Sequence, residues 1–179
     1  MNFRTNKDIP KHGWFEYKQG YGELLVEEII LKERPSKKQY ILDPFTGVGT
    51  TNLVSQKLGY KSIGFDINPV ATFIADAKTI YFKNDEIKLI SKYIQDFRPR
   101  KLSKFIPKSP LLERSFHPAV LKQLMCIKGF YEDISNPKIQ SFFKTAYLAI
   151  IEDCSLRVKD GNGIKMVPNK KYVADVYEY

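Results

Sequence analysis

Two features of the sequence, a glycine-rich turn and an acidic residue downstream of it, have the residue types and spacing needed to bind a ligand. The turn is the stretch 43–51, which reads DPFTGVGTT and contains Gly47 and Gly49. Glycine adopts positive φ angles and lets a ligand approach the backbone closely. A helix that begins at such a turn offers unpaired N–H groups to a ligand. The acidic residue is Asp66, whose carboxylate can accept hydrogen bonds from ribose hydroxyls, so the pattern predicts an adenosine-containing ligand.

The elements that must position these residues follow the order strand, turn, helix and strand. Residues 40–42 form a short apolar run that is typical of a strand buried on both faces. Apolar residues at helical spacing predict a helix over 51–58, which Gly59 ends. Residues 61–66 form a second short strand that closes on the acid. This order predicts the first half of a nucleotide-binding α/β fold.

The details of the turn narrow the choice of ligand. A P-loop is excluded because neither Lys-Ser nor Lys-Thr follows the glycines. A dinucleotide fingerprint is only weakly matched, since Asn52 stands where the third glycine would be. The stretch 43–51 resembles motif I, DPFxGxGTT, of the S-adenosylmethionine-dependent DNA amino-methyltransferases, and the stretch 64–69, GFDINP, resembles their motif II. The resemblance implies that the cofactor is S-adenosyl-L-methionine, whereas the alternative is a structural corner that binds nothing.

The resemblance also implies which residues contact the cofactor. In that family the glycine turn approaches the methionine part, and the acid of the second strand holds the ribose. A segment called motif X precedes motif I and closes over the methionine end, and Tyr17, Lys18 and Tyr21 occupy the corresponding stretch here. The implied cofactor-binding residues are Tyr17, Lys18, Asp43, Phe45, Thr46, Gly47, Gly49, Thr50, Thr51, Asp66 and Asn68.

Composition limits the class of protein. A chain of 179 residues with 43% hydrophobic and 27% charged residues suits one globular domain with a sizeable core. The formal net charge of +9 favours a polyanionic partner, and nucleic acid ranks before membrane because no lipid anchor or long apolar run is visible. Two cysteines form no disulfide framework, and two distant histidines support no metal site. We therefore expect a cytoplasmic protein that contacts DNA and no membrane.

The pattern along the chain predicts an α/β protein with an incomplete Rossmann-like methyltransferase core and a helical insertion or C-terminal helical part. We expect three regions: an N-terminal arm and motif X-like helix over 1–38, a cofactor-binding α/β portion over 39–97, and a basic linker with a helical segment over 98–179. The further predicted elements are helices over 23–31, from 69 to 77, and over 84–97, 118–130 and 137–155, a third strand over 80–82, a loop over 160–163 and the start of a helix over 172–179.

A basic segment begins near residue 97. Basic residues interleaved with aromatic ones can follow a phosphate backbone and offer faces for stacking. The alternative is a solvated linker between the α/β portion and the helices. The candidate nucleic-acid-binding residues are Arg98, Arg100, Lys101 and Lys104, interleaved with Phe97 and Phe105.

The sequence contains no candidate catalytic motif. Methylating an exocyclic amine requires a flipped base, an aromatic ring to stack on it and acceptors for the amine protons. The family supplies these groups with an Asp/Asn/Ser-Pro-Pro-aromatic tetrapeptide, and this chain has no Pro-Pro pair. We therefore expect the cofactor-binding, N-terminal part of a DNA methyltransferase, inactive alone, with the catalytic motif in a second subunit or a downstream half.

Three functions remain open at this point. The first is a portion of a DNA adenine-N6 or cytosine-N4 methyltransferase from a restriction-modification system. The second is a methyltransferase that acts on RNA or protein. The third is a non-catalytic nucleic-acid-binding or regulatory module that uses the basic segment.

Overall fold

The computed structural model of the chain describes residues 6–99, 101–159, 163–167, 170–171 and 173–178, which form two compact units, Met1–Phe82 and Lys83–Tyr179. The described part is a mixed α/β protein with seven α-helices and two small sheets. None of its helices is long and apolar enough to cross a membrane. The helices are Glu23–Glu33 (α1), Thr50–Lys57 (α2), Pro69–Thr79 (α3), Asn84–Gln95 (α4), Pro110–Ser115 (α5), Pro118–Glu132 (α6) and Pro137–Cys154 (α7), and the strands are Tyr40–Asp43 (β1), Lys61–Gly64 (β2), Arg157–Lys159 (β3) and Ile164–Met166 (β4).

The first unit is built around a parallel pair of strands. β1 and β2 run parallel, with Tyr40 opposite Lys61, and α2 connects them. Side chains alternate between the two faces of a strand, so Ile41 turns toward a core that α1 and α2 supply with Val26 and Val54. The order strand, turn, helix and strand predicted from the sequence is therefore confirmed, but the expected burial of the first strand on both faces is wrong, because Tyr40 and Leu42 are 55% and 62% exposed.

Local side chains determine where the helices begin. The side chain of Asn68 accepts from the backbone N–H groups of Val70 and Ala71, and Pro69 occupies the first turn of α3. This is the usual N-terminal signal, because an Asn side chain satisfies the unpaired donors and proline needs none. Asn136 before Pro137 repeats the arrangement at α7. The three predicted helices from 69 to 77, over 118–130 and over 137–155 are confirmed with shifts of a few residues at their ends.

The predicted strand over 80–82 is wrong. These residues are irregular, and their backbone groups are already used locally. The N–H of Ile80 donates to the carbonyl of Ala77 at 3.3 Å, and the carbonyl of Ile80 accepts from the Lys11 ammonium at 2.7 Å. A strand ladder would need both of these groups.

The N-terminal arm is more ordered than the sequence predicts. Residues 1–5 lie outside the described part, but Asn6 is wholly buried and a 3-10 helix spans His12–Trp14. At the other end, the predicted helix over 172–179 is represented by a 3-10 helix, Val176–Glu178, while residues 172 and 179 lie outside the described part. Residues 160–162 of the predicted loop also lie outside it.

The second unit is helical, with a short hairpin formed by β3 and β4. An aromatic cluster joins its helices: the ring of Phe130 on α6 packs edge-on against Phe143 of α7 at 5.4 Å and against Tyr93 of α4 at 6.0 Å. Phe97 also contacts Phe130, with ring centroids 5.0 Å apart. Edge-on packing of this kind stabilises the unit beyond the contribution from burying apolar area.

Candidate functional site

The glycine turn between β1 and α2 is a tightly bonded corner. Gly47 has a φ of 52° and Gly49 a φ of 82°, and both values lie in the left-handed region that favours glycine. The N–H of Thr46 donates to the carbonyl of Phe65 at 2.8 Å, and the N–H of Gly49 donates to the carbonyl of Thr46 at 2.9 Å. The turn is thus held against the segment that follows β2, where Asp66 lies.

Asp66 lies directly beside this turn. Its Oδ2 atom accepts the N–H of Gly47 at 2.9 Å, and its Oδ1 atom accepts the N–H of Asn68 at 2.8 Å. The carboxylate is half-buried and fixed in orientation by these two bonds. The sequence predicted that the turn leaves its N–H groups unpaired, but the donors of Gly47 and Gly49 are both used inside the chain. The expected pairing of acid and turn is present in a different form, with the acid bonded to the turn.

Asp43 connects three parts of the first unit. Its Oδ1 atom accepts the N–H of Phe45 at 3.0 Å, and its Oδ2 atom accepts the hydroxyls of Thr51, at 2.5 Å, and Tyr21. The hydroxyl oxygens of Tyr21 and Thr51 are 2.7 Å apart. Burial and the bond to Asp43 raise the pKa of Tyr21 to about 12. The carboxylate therefore joins strand β1, helix α2 and the segment before α1.

Tyr17 covers the turn. A Cβ atom at Gly47 would lie 3.0 Å from Cε1 of the Tyr17 ring, so the ring is in contact with the turn backbone. Burial, and then the negative charge of Asp66, raise the pKa of the Tyr17 phenol. The neighbouring Lys18 is exposed. The structure therefore brings Tyr17, Gly47 and Asp66 together.

The other predicted cofactor residues have varied surroundings. Phe45 is 82% exposed, whereas Thr46, Thr50 and Thr51 are buried. The Thr46 hydroxyl donates to the side-chain carbonyl of Asn52 at 2.5 Å, and Asn68 caps α3. The hydrogen bonds of Thr46 to Asn52 and of Thr51 to Asp43 thus stabilise the corner itself.

Sequence reasoning missed one exposed residue of the site. Ile67 follows Asp66 directly, and its side chain is completely exposed. A bulky aliphatic residue immediately after the acid was visible in the sequence, but nothing in its type distinguishes an exposed position from a buried one.

A polar cavity of about 450 Å³ lies between α2, β2 and α3. Thr46 and Gly64 line it, together with Asn52 from α2 and Asp76 from α3. The amide of Asn52 donates to the hydroxyl of Ser62 at 3.2 Å across this region. The cavity therefore adjoins the glycine turn on the side of β2.

The basic segment of the second unit is folded against α6. Lys101 pairs with Asp133 at 2.8 Å, and the hydrogen bond from its ammonium, with its positive charge, lowers the pKa of that carboxyl. The N–H of Ser103 donates to the carbonyl of Met125 at 3.0 Å. Arg98 is exposed and donates to the carbonyl of Phe97 at 2.6 Å. Of the remaining candidates, Lys104 is exposed, and Arg100 lies outside the described residues.

The two aromatic residues of this segment differ in availability. Phe97 packs in the aromatic cluster and offers little surface for stacking on a base. Phe105 is 67% exposed, and the ammonium of Lys128 lies 5.1 Å from its ring centroid. The segment therefore combines a packed part with an exposed basic and aromatic part.

Comparison with known proteins finds sequence similarity to DNA methylases. Residues 2–76 match a family model described as DNA methylase. The chain is 29% identical over 168 residues to the type II methyltransferase M.BsoBI of Geobacillus stearothermophilus, in an alignment that covers 92% of this chain and 33% of that protein. It is 24% identical over 173 residues to the type II methyltransferase M.AvaI of Anabaena variabilis, with 92% and 35% covered.

A shorter alignment has a higher sequence identity. The type II methyltransferase M2.DpnII of Streptococcus pneumoniae is 50% identical over 44 residues, which cover 25% of this chain and 16% of that protein. The chain spans about a third of the length of M.BsoBI and M.AvaI. No solved structure matches it.

Proposed function

We propose that this chain, a relative of the DNA amino-methyltransferases, is the S-adenosylmethionine-binding portion of a site-specific DNA methyltransferase. The observation that carries the proposal is the bond from the Gly47 N–H to the Asp66 carboxylate, which fixes an acid at the mouth of a left-handed glycine turn. In Rossmann-like folds an acid at this place, after the second strand, accepts the ribose hydroxyls of a nucleoside.

Asp66 retains the capacity to bind ribose. A carboxylate has about four lone-pair sites, and two of them accept the N–H groups of Gly47 and Asn68. The carboxylate is half-buried, so solvent and ligand can reach it. The two backbone bonds orient it in advance and reduce the entropy that a ligand would otherwise have to remove. Two ribose hydroxyls can therefore donate to the remaining sites.

Apolar groups flank this acid. The exposed Ile67 offers an aliphatic surface beside Asp66, which suits one face of a purine ring. The ring of Tyr17 lies over Gly47, whose N–H donates to the same carboxylate. Following the family resemblance, we assign Tyr17 and Lys18 to the segment that closes over the methionine end.

The chemistry assigned to the whole enzyme is a methyl transfer. The lone pair of an exocyclic amine, N6 of adenine or N4 of cytosine, attacks the methyl group of the sulfonium; the S–CH₃ bond breaks, an N–CH₃ bond forms and the nitrogen loses a proton. The base must be flipped out of the duplex and its amine polarised by acceptors. In the family a Pro-Pro-containing motif supplies these acceptors, and the 179 residues of this chain contain no Pro-Pro pair. We therefore propose that this chain binds cofactor and is inactive alone.

A second polypeptide segment would complete the enzyme. Parallel sheets are normally covered on both faces, but the outer face of the β1–β2 pair exposes Leu42 at 62% and Ile63 at 43%, which lie opposite each other in the pairing. The chain also spans only about a third of the relatives it matches. We propose that a polypeptide equivalent to the remainder of those relatives packs on this face and carries the base-binding motif.

The partner proposed for the assembled enzyme is DNA in a restriction-modification setting in the cytoplasm. The relatives are named as type II methyltransferases. The net charge of +9 and the exposed Arg98 and Lys104 favour contact with a phosphate backbone.

The test is binding of S-adenosylhomocysteine to the full chain, measured by calorimetry. Asp66→Asn removes the charge that favours two donated hydroxyls while keeping the side-chain shape, and we expect the affinity to fall by roughly 10- to 100-fold. Asp85→Asn, which changes an exposed acid on α4 outside this site, is the matched control and should bind like the original chain. No binding by the original chain, or equal affinity in all three proteins, would contradict the proposal.

A further inference from the structure

Lys78 on α3 is a wholly buried cation. Its Nζ atom donates to the carbonyl oxygen of His12 at 3.0 Å and to that of Phe15 at 3.5 Å. Lysine is almost never fully buried unless its charge is satisfied, because burying an ammonium group is costly. Both acceptors belong to the segment that runs from residue 6 to residue 22, which we call the N-terminal segment.

Further hydrogen bonds hold the N-terminal segment in place on the N-terminal side of the Lys78 contact. At its start, the amide of Asn6 donates to the Tyr21 carbonyl at 3.1 Å and accepts the Glu23 N–H at 2.9 Å. Lys11 donates to the carbonyl of Ile80 after α3, at 2.7 Å. Beyond these bonds the segment continues to Tyr17, which covers Gly47.

We propose that Lys78 is a positioning residue that anchors residues 12–15 to α3 and thereby holds Tyr17 over the glycine turn. The anchor lies two residues upstream of Tyr17, within the same backbone stretch. Its effect on the cofactor rests on the function proposed above, whereas the anchoring itself does not. The two bonds that carry this proposal join Lys78 to the carbonyls of His12 and Phe15, so Lys78 acts on the turn through the segment.

The charge of Lys78 makes this anchor sensitive to pH. Burial lowers the pKa of Lys78 to about 8, so the ammonium loses a proton in an accessible range and its bonds to the two carbonyls weaken. The ionisable groups around it are His12, with a pKa lowered to about 4, Glu23 at 3.2 Å from His12, and Lys57 at 3.7 Å from Glu23. Lys11, whose pKa burial also lowers, is the other cation that anchors the segment.

A single tryptophan reports on this contact. Trp14, the one tryptophan of the chain, lies between the two anchored carbonyls. We expect its emission, excited at 295 nm in the full chain without cofactor, to change with a midpoint near pH 8 as the segment loosens. Lys78→Met keeps the apolar stem of the side chain. We expect the Trp14 emission of this variant at pH 7 to match that of the original chain at pH 9.5, and to show no transition between pH 7 and pH 9.5.

Substitutions of two other lysines serve as controls for this titration. Lys57→Met removes a cation near His12 without touching the anchored carbonyls, and should keep the transition near pH 8. Lys11→Met tests the second anchoring cation and should also keep it. A flat Trp14 profile in the original chain between pH 7 and 9.5 would overturn the proposal even if Lys78→Met fails to fold, and so would an unchanged transition in Lys78→Met.

The consequence for the ligand is measured separately. With S-adenosylhomocysteine as the probe, we expect Lys78→Met to bind about tenfold more weakly at pH 7, the order of one hydrogen bond to a charged group. Equal affinity in Lys78→Met would overturn the link between anchor and turn. If the original chain shows the Trp14 transition but binds no S-adenosylhomocysteine, the function proposed above fails and the anchoring stands.

Discussion

The hydroxyl of Tyr21 donates to the Oδ2 atom of Asp43, which bonds the N-terminal segment to the last residue of β1. The hydroxyl of Thr51 donates to the same oxygen at 2.5 Å. One carboxylate therefore holds together the segment before α1, the strand and the helix after the glycine turn. Partial burial of the Asp43 carboxylate is tolerated because these hydrogen bonds satisfy its charge.

Removing the Tyr21 hydroxyl should destabilise the first unit. Tyr21→Phe leaves Asp43 with its bonds to Phe45 and Thr51 but one donor fewer, and we expect the free energy of unfolding to fall by about 1–2 kcal/mol. The measurement is urea unfolding followed by Trp14 emission. Tyr40→Phe, which removes an exposed hydroxyl from the same strand, is the control and should change it by less than about 0.5 kcal/mol. Equal effects of the two changes would contradict the role given to Asp43.

Gly49 should tolerate no side chain. A Cβ atom there would lie 2.8 Å from Cβ and 2.9 Å from Cα of Ala75 on α3, at a φ of 82°. We expect Gly49→Ala to lower the free energy of unfolding by about 2–4 kcal/mol, from left-handed strain and overpacking. Gly59→Ala, at a φ of 72° with its nearest neighbour, Lys37 Nζ, 3.8 Å away, should cost only about 1 kcal/mol. A similar loss in both variants would argue against the close contact with α3.

The stability of the first unit should fall in mild acid because of His12. Burial, together with the positive charges of Lys78 and Lys57, lowers the pKa of His12 from 6.5 to about 4. The unfolded chain therefore binds the proton more tightly between these values, so the free energy of unfolding decreases as the pH falls from 6.5 to 4, by up to about 3 kcal/mol. Unfolding measured at several pH values should show a shallower decrease in His12→Gln. An equal slope in both proteins would mean that other groups cause the acid sensitivity.

The part of the fold that the sequence predicts best is the part governed by local rules. The run 40–42, the glycines of the turn and the Asn68-Pro69 pair each determine their own conformation, so the strand–turn–helix–strand unit follows from them directly. The pairing of Gly47 with Asp66 was harder to predict. The sequence predicted that these two residues, 19 positions apart, bind the same ligand. Their direct hydrogen bond could not be predicted, because it depends on how the ends of the two strands pack.

The N-terminal segment could not be predicted because its order depends on long-range contacts. Its sequence is polar, with Pro10 and Gly13, and carries no periodic pattern. Lys78, 66 positions away from His12, and Asn6, 17 positions away from Glu23, hold it in place. Similarly, the strand expected over 80–82 had suitable residue types, but the Lys11 bond to its backbone competes with a ladder.

Exposed cations in the second unit should contribute unequally to DNA binding. Lys104 is exposed, whereas Lys101 already pairs with Asp133 at 2.8 Å. We expect Lys104→Gln to weaken binding of duplex DNA and to reduce the slope of log affinity against log salt by about 1. Lys101→Gln should change that slope less, because its charge is partly neutralised. Filter or fluorescence binding at several salt concentrations checks this, and an equal or larger effect of Lys101→Gln would contradict it.

The uncovered face of the β1–β2 pair should make the isolated chain bind apolar probes and associate. Leu42 and Ile63 lie opposite each other on this face, with 62% and 43% of their surfaces exposed. Changing both to threonine keeps a strand-compatible side chain while removing apolar area. We expect weaker fluorescence of a hydrophobic dye and a smaller mass by light scattering, whereas threonine at Ile29 and Leu31, exposed on α1, should have little effect. A monomer with unchanged dye binding in every variant would mean that this face needs no cover.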